Sequence, residues 1–363
     1  MASSTGTTAQ SSHGAAAAAH LTDELELPTG GTFYSFNKPV IPDGIQPSGR
    51  GGASVVYVDN KMVFFGGHFF EGDNKFTYLD ETWVLDVEKL KWRKINCNGQ
   101  IPGPRYGHSA QLIGSRMFIF GGKGPSGVLY KDVFFLDLET WIWVSVKAVS
   151  AGPSPRFFQA CETVGRKIVI HGGWDNDEVL NDLWIFNTDS FSWMQPRMAG
   201  FAPTPRYGHT ISLAPDGRLF VLGGVTLDPK TSIPKYNDDI RVLDTETMIW
   251  TRPRVDGHNP TGRFGHTSTV IDDKIVMFGG WGRGGCQTRE SVHDNRAYSV
   301  QVLDTKSMQW WVPRKITKKP IPHLYNHSAA RMGPDAASII LCGGFDGRQA
   351  NSDFIVINLE QSE

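Results

Sequence analysis

Short apolar runs rich in Val, Ile and Phe alternate along the chain with polar turns carrying Gly, Asp and Asn. Six of the runs end in a double glycine: Gly66-Gly67, Gly121-Gly122, Gly172-Gly173, Gly223-Gly224, Gly279-Gly280 and Gly343-Gly344. The steps between them are 55, 51, 51, 56 and 64 residues, a period that marks an array of repeated supersecondary units. Trp92, Trp143, Trp193 and Trp250 fix the register again, each followed 13 residues later by Arg105, Arg156, Arg206 and Arg263. The second unit shows the parts most clearly: Pro104-Arg105-Tyr106-Gly107-His108, the run to Gly121-Gly122, a polar loop, Lys131-Asp132-Val133-Phe134-Phe135-Leu136-Asp137, then Trp143. Runs this short, β-branched and bounded by turn residues predict four antiparallel strands per unit. No window carries a 3.6-residue period, so no helices of consequence are expected.

A four-stranded sheet of this size cannot bury both its faces alone, so the six must stack radially, each covering its neighbour. The expected fold is all-β, a six-bladed propeller. The chain resembles the kelch-repeat family in the double Gly, the Asn/Asp-rich strand start after it, the Leu-Asp and the spaced Trp, over about residues 45–360. The sixth unit breaks off after Ile357-Asn358-Leu359 without a Trp, whereas residues 31–39, GTFYSFNKP, precede the first. Kelch rings commonly take their last strand from the N-terminus, so the resemblance implies that about 31–39 closes blade six, with Tyr34 in the place of Trp. Closure removes the open sheet edges. The expected division is a disordered low-complexity tail, residues 1–22, and one propeller, residues 23–363.

Composition then narrows the function. With 36 basic and 37 acidic residues the chain is nearly neutral, so no nucleic-acid partner and no attraction to an anionic membrane is expected, and any recognition by charge is local. No stretch reaches the length of a membrane span, and the first 20 residues lack the basic leader and apolar core of a signal peptide. Cys97, Cys161, Cys286 and Cys342 form no CxxC pair, which predicts neither a disulfide framework nor a zinc site and favours the cytoplasm, or the nucleus. No cofactor is expected.

The repeat positions have structural readings first. Each double Gly lets its strand bend where a neighbouring backbone comes close. The Trp residues, Trp310 included, wedge between blades. His108, His209, His266 and His327 share one repeat position, where blades one and three carry Ala53 and Gln159. Such positions stand too far apart for metal bonds of about 2 Å, so hydrogen bonds to the neighbouring blade are expected instead. Arg50, Arg105, Arg156, Arg206 and Arg263 begin the innermost strands, with His323 roughly in the sixth place. Either each pairs with an Asp or a carbonyl of the adjacent blade, or some turn their forks into the channel mouth toward carboxylates. The resemblance bears on the second reading, because in some kelch domains that bind acidic peptides an Arg here contacts the ligand.

Directly after the double Gly stand His68, Lys123, Trp174, Val225, Trp281 and Phe345. The three aromatics Trp174, Trp281 and Phe345 are expected at the mouth, with Phe69 and Phe70 on a neighbouring loop, and aromatics beside Arg are what binding hot spots favour. The longest insertion, residues 281–298, carries Glu290, His293 and Asp294. Nitrile-specifier kelch members bind iron through Glu, Asp and His on the corresponding loop, but the spacing here departs from theirs, so Glu290 and Asp294 are weak candidates and no metal is expected. Cys286 lacks the Tyr partner that the copper oxidases of the family require. No adaptor or F-box segment is expected ahead of the propeller, which makes the chain similar to kelch-only effectors and adaptors. The leading expectation is a non-enzymatic scaffold that binds a protein partner, with an acidic segment favoured. The alternative is a small-molecule binder or enzyme, specifier-like or sugar-processing, at the same mouth. Oligomeric state is not written in the sequence.

Overall fold

Alternation within each run decides which neighbour a strand meets, because successive side chains leave a strand on opposite faces. In the strand Lys61–Phe65, Met62 and Phe64 join Ile340 and Val356, while Val63 and Phe65 join Met117 and Ile119. The computed structural model describes residues 31–42, 44–72, 75–228, 230–282, 299–315 and 322–362. The expected tail 1–22, and Cys286, Glu290, His293 and Asp294 of the long insertion, lie outside them.

Six blades surround an axis. From the axis outward, blade one is Ser54–Val58, Lys61–Phe65, Thr82–Asp86 and Lys91–Ile95, and blade two is Ser109–Ile113, Arg116–Phe120, Val133–Asp137 and Ile142–Val146. Blade three is Ala160–Val164, Lys167–Trp174, Val179–Asn187 and Ser192–Met194, and blade four is Tyr207–Leu213, Arg218–Leu227, Ile240–Asp244 and Ile249–Thr251. Blade five is Thr267–Ile271, Lys274–Phe278, Val300–Asp304 and Gln309–Trp311. Blade six, Ser328–Arg331, Ser338–Cys342 and Phe354–Ser362, takes its outer strand from Gly31–Asn37. Among the described residues the one helical turn is the 3₁₀ segment Pro125–Gly127.

Four blades exceed the four-strand expectation. A two-residue piece of the linker that enters each of them, Asn98–Gly99, Ala199–Gly200, Asp256–Gly257 or Arg314–Lys315, adds a short parallel strand outside the outermost one.

The core is divided among the blade interfaces. Six separate clusters each draw on two neighbouring blades, and Trp92, Trp143, Trp193, Trp250 and Trp310 each pack toward the preceding blade. Each Trp pairs across the sheet with the residue before the third strand's closing Asp or Asn, as in Leu85 with Trp92 and Leu303 with Trp310. In blade six that register sets Ile357 against Phe36, and Leu359 against Tyr34. Phe36 therefore holds the Trp position, and Tyr34, expected there, lies two residues away in the same cluster. The double glycines admit close backbone approach: a Cβ on Gly121 would stand 2.7 Å from the Arg156 carbonyl oxygen of the next blade.

Candidate functional site

The arginines close their own blades. Arg105 donates from Nε to the Gly103 carbonyl at 3.0 Å, from Nη1 to the Gly121 carbonyl at 3.0 Å and to Asp132 Oδ1 at 2.6 Å, and from Nη2 to Asp132 Oδ2 at 3.1 Å. Arg156 repeats the set with Gly172 and Asp182. Arg50 reaches Gly66 and Glu81, and Arg206 reaches Gly223 and Asp239. All these partners belong to the arginine's own blade, not to the adjacent one as expected. What crosses to the neighbour is the backbone: the Arg105, Arg156, Arg206 and Arg50 carbonyls accept the N–H of Gly67, Gly122, Gly173 and Gly344 in the preceding blade. These four side chains are at most 1 % exposed, so they do not present their forks to the mouth. Glu81 feels burial, which alone would raise its pKa, yet hydrogen bonds from Lys94, Trp83 and Arg50 hold it down at about 2.

Two blades break the pairing. The acid stands five residues before the third strand's closing Asp or Asn: Glu81, Asp132, Asp182, Asp239 and Asp353, but Ser299 in blade five. Arg263 there meets the neutral Gln301 Oε1 at 3.0 Å, the Gly279 carbonyl at 2.9 Å and the Thr261 carbonyl at 3.1 Å. Its side chain is half-buried, and burial lowers its pKa to about 10. Blade six keeps its acid and lacks the arginine. The register puts Leu324 there, not His323, since the Leu324 carbonyl accepts the N–H of Gly280 as the arginine carbonyls do in other blades. Asp353 pairs instead with Lys38, just past the closing strand.

The mouth itself is aromatic. In every blade the residue after the arginine position bridges the residue after the double Gly: Gly51 with His68, Tyr106 with Lys123, Phe157 with Trp174, Tyr207 with Val225, Phe264 with Trp281 and Tyr325 with Phe345. These bridges bring the expected Trp174, Trp281 and Phe345 into one collar with rings the sequence reading passed over. Starting from Phe345, successive centroids run to His68 at 5.3 Å, Tyr106 at 3.9 Å, Phe158 at 5.6 Å, Tyr207 at 6.5 Å, Phe264 at 6.4 Å, Tyr325 at 6.0 Å and back to Phe345 at 5.6 Å. Trp174 stacks on Tyr207 at 5.3 Å and Trp281 meets Tyr325 at 5.0 Å. Blade one has Gly51 because the Phe345 ring fills the space: a Cβ there would stand 2.1 Å from Phe345 Cε2. Phe69 and Phe70 lie on a hairpin beside the collar, His68–Gly72 with Lys75–Tyr78, where the exposed Phe70 touches the exposed Phe76 at 5.1 Å.

Below the collar the backbone closes on itself. The N–H groups of Gly52, Gly107, Phe158, Gly208, Gly265 and Asn326 each donate to the carbonyl of the same position in the preceding blade, at 2.7–2.9 Å, in an unbroken circle. The geometry needs left-handed backbone, which four glycines adopt at little cost, whereas Phe158 holds φ 54° with a full side chain. Beneath the circle lies a cavity of about 130 Å³ walled partly by His108, His209, His266 and His327. Their Nε2 atoms reach the preceding blade, at Ser54 Oγ (2.8 Å), His171 Nδ1 (2.8 Å), Thr210 Oγ1 (3.1 Å) and Thr267 Oγ1 (2.9 Å). Burial keeps these imidazoles neutral, with His108, His266 and His327 lowered to about 3. Among the described residues, no three of His, Cys, Asp and Glu converge on a point where an ion could sit.

The KLHDC2/KLHL20/DRC7 Kelch-repeats domain model matches residues 52–280. Host cell factor of Drosophila melanogaster is 28% identical over 314 residues, 79% of this chain and 20% of that protein. Kelch domain-containing protein 2 of Bos taurus is 29% identical over 292 residues, 73% of this chain and 68% of that protein. Rab9 effector protein with kelch motifs of Xenopus laevis is 31% identical over 212 residues, 54% of this chain and 56% of that protein. The chain thus spans a fifth of the first of these relatives and less than two thirds of the third.

Proposed function

Since this chain belongs to the kelch-repeat family, we propose that it is a non-enzymatic interaction module that holds a partner protein against its loop face, over the aromatic collar. The collar carries this reading. Tyr106, Phe158, Trp174, Tyr207, Phe264, Trp281, Tyr325 and Phe345 are all only half-buried, and rigid aromatics with one face open are what interfaces use as anchors. Arg50, Arg105, Arg156 and Arg206 are consumed by carbonyls and carboxylates of their own blades, which leaves the rings as the open contact groups of this face. One relative is by its printed name an effector of Rab9, and a binding role of that general kind, without its partner, is what we carry to this chain. We place the protein in the cytosol or nucleus. Cys97, Cys161 and Cys342 are unpaired, as a reducing compartment favours, and no helix among the described residues is long and apolar enough to cross a membrane.

The test pairs the wild-type chain with Tyr207→Ser/Trp281→Ser and with a rim control, Phe201→Ser, and compares captured proteins by mass spectrometry at matched folding. Loss of one partner in the collar variant alone supports the reading. Equal capture by all three moves the interface off this face. Capture of nothing by the wild type turns attention to a small molecule, for which the hollow of about 1110 Å³ beside Arg263 is the observation in favour.

A further inference from the structure

Linkers cover the outer edges of blades two to six. In blades two, three, four and five the carbonyl two residues before the Trp, that of Trp141, Phe191, Met248 or Met308, accepts the N–H of Asn98, Val149, Ala199 or Asp256 at 3.0–3.2 Å. The Trp carbonyl takes a second donor: the Gln100 N–H for Trp143, Ser150 Oγ for Trp193, the Phe201 N–H for Trp250 and the His258 N–H for Trp310. Arg314–Lys315 covers blade six. Blade one differs. Its sheet ends at Lys91–Ile95, and among the described residues no linker N–H reaches the Leu90 or Trp92 carbonyl.

The chain spacing explains the gap. Each bonded linker donates first from the residue six after the preceding Trp, and the next arginine stands 13 after that Trp. From Phe36, which holds the Trp position, the sixth residue is Pro42, which has no N–H, and Arg50 follows Phe36 by 14 residues. Pro42 is the extra one. Ile41 still packs against the Trp92 cluster as Val255 packs against the Trp310 cluster, and without Pro42 the run Ile41, Asp43, Gly44 would match Val255-Asp256-Gly257. The insertion carries Gly44 off the sheet: a Cβ there would meet nothing within 4 Å, whereas at Gly99, Gly200 and Gly257 it would stand 2.0–2.2 Å from the Trp carbonyl oxygen. The edge left open is basic, since Lys91, Arg93 and Lys94 are exposed and the strand holds no acid. Two such edges would set like charges against each other, which excludes a second copy of this chain as the occupant.

We propose that blade one takes an extended acidic segment of a partner protein as its fifth strand, on the outer rim of the ring. The segment donates backbone N–H groups to the Leu90 and Trp92 carbonyls, as Asp256 and His258 do to Met308 and Trp310 in blade five. Lys91 and Arg93 leave the strand on one side, so acidic side chains two residues apart in the incoming strand lie against them. Main-chain bonds supply the affinity and the charge pairs choose the segment. This edge is separate from the collar, and the proposal does not depend on what the collar binds.

The test uses the full chain and fluorescence anisotropy with fluorescein-labelled, C-terminally amidated peptides at low salt: Glu-Val repeated three times, Lys-Val repeated three times, and the Glu-Val peptide N-methylated at every residue. The wild type should bind the first more tightly than either of the others by on the order of tenfold. Lys91→Glu/Arg93→Glu should reverse the choice, losing the Glu-Val peptide and gaining the Lys-Val one. Deletion of Pro42 restores the 13-residue spacing and lets the chain's own linker cover the edge, so it should abolish binding while raising Tm, which separates a covered edge from an unfolded protein. The proposal is overturned if the wild type does not bind the Glu-Val peptide, or if the N-methylated peptide binds equally, which would reduce the attraction to charge. It is overturned as well if deletion of Pro42 leaves binding unchanged, or if Tyr207→Ser/Trp281→Ser loses the peptide, which would place it on the collar. Failure in any of the first three ways leaves the collar reading standing, because capture of partners by the collar variant is measured independently of these probes.

Discussion

At the scale of single residues, one side chain type is held differently according to what faces it. Arg105 closes a loop between the end of one strand and the start of the next, and removing it strips Asp132 and the Gly121 carbonyl of their donors at once. Breaking a buried ion pair costs about 3–5 kcal/mol; Asp132 is 34% exposed, so water takes over part of its solvation and Arg105→Ala should fall near the lower end. Arg263→Ala leaves no carboxylate behind and should cost less, about 1–2 kcal/mol. Denaturant midpoints of the two variants decide, and equal losses would contradict the asymmetry. This asymmetry was legible in the sequence, because Ser299 interrupts the column of acids that precedes the strands. The direction of the arginines was not: repeat spacing shows that five residues are equivalent, but whether a side chain turns inward to its own blade or outward to the mouth depends on carbonyls brought near only by folding. The collar was half visible, in Trp174, Trp281 and Phe345. The other half, Tyr106, Tyr207, Phe264 and Tyr325, stands in the column right after the arginines and was hidden by its regularity.

At the scale of the element, the closing strand shows how register decides identity. Blade count followed from the spacing of Gly-Gly and Trp, and the N-terminal origin of the last strand from the sixth unit's missing Trp together with the kelch resemblance. Which aromatic of Gly31–Asn37 replaces Trp did not, since side chains two apart share a face and only pairing with Phe354–Ser362 chooses Phe36 over Tyr34. The short parallel strands were equally out of reach, because two residues carry no periodicity. Phe36 should therefore behave as the wedge of its interface. Phe36→Ala removes a ring from the cluster between blades five and six and is expected to cost about 3–5 kcal/mol by chemical denaturation. Tyr34→Phe keeps the ring and should lie within about 1 kcal/mol of wild type. If Tyr34→Ala proves much the costlier of the two alanine variants, the assignment of the wedge is wrong.

At the scale of the whole ring, stability is tied to pH through the imidazoles at the inner strands. His108, His171, His266 and His327 are buried and lowered to about 3 by burial first and neighbouring charge second. In the unfolded chain a histidine titrates near 6.5, so below that pH the unfolded state takes up protons that the folded state refuses. Each such group then removes about 1.4 kcal/mol of stability per pH unit between roughly 6.5 and 3, and four together remove about 5 kcal/mol per unit. The His171–His209 contact at 2.8 Å shares this sense, since a neutral pair has one donor and one acceptor while two imidazolium rings would repel. Depressed carboxylates such as Glu81 act in the same direction in a lower window, their stabilisation being lost between their unfolded value and about 2. With total stability on the order of 5–15 kcal/mol, the ring should unfold cooperatively one to three pH units below 6.5, the depressed carboxylates adding to the loss at the acid end of that range. Blade three carries Gln159 at this repeat position, donating to Ser109 Oγ at 3.2 Å, so His266→Gln offers a neutral amide already compatible with the architecture. Denaturant titrations at pH 7.5, 6.5 and 5.5 should show stability falling with acid in the wild type, and a slope shallower by about 1.4 kcal/mol per unit in His266→Gln. A wild-type stability unchanged from pH 7.5 to 5.5 would mean that these imidazoles protonate within the folded ring, with the blades opening far enough to hydrate them.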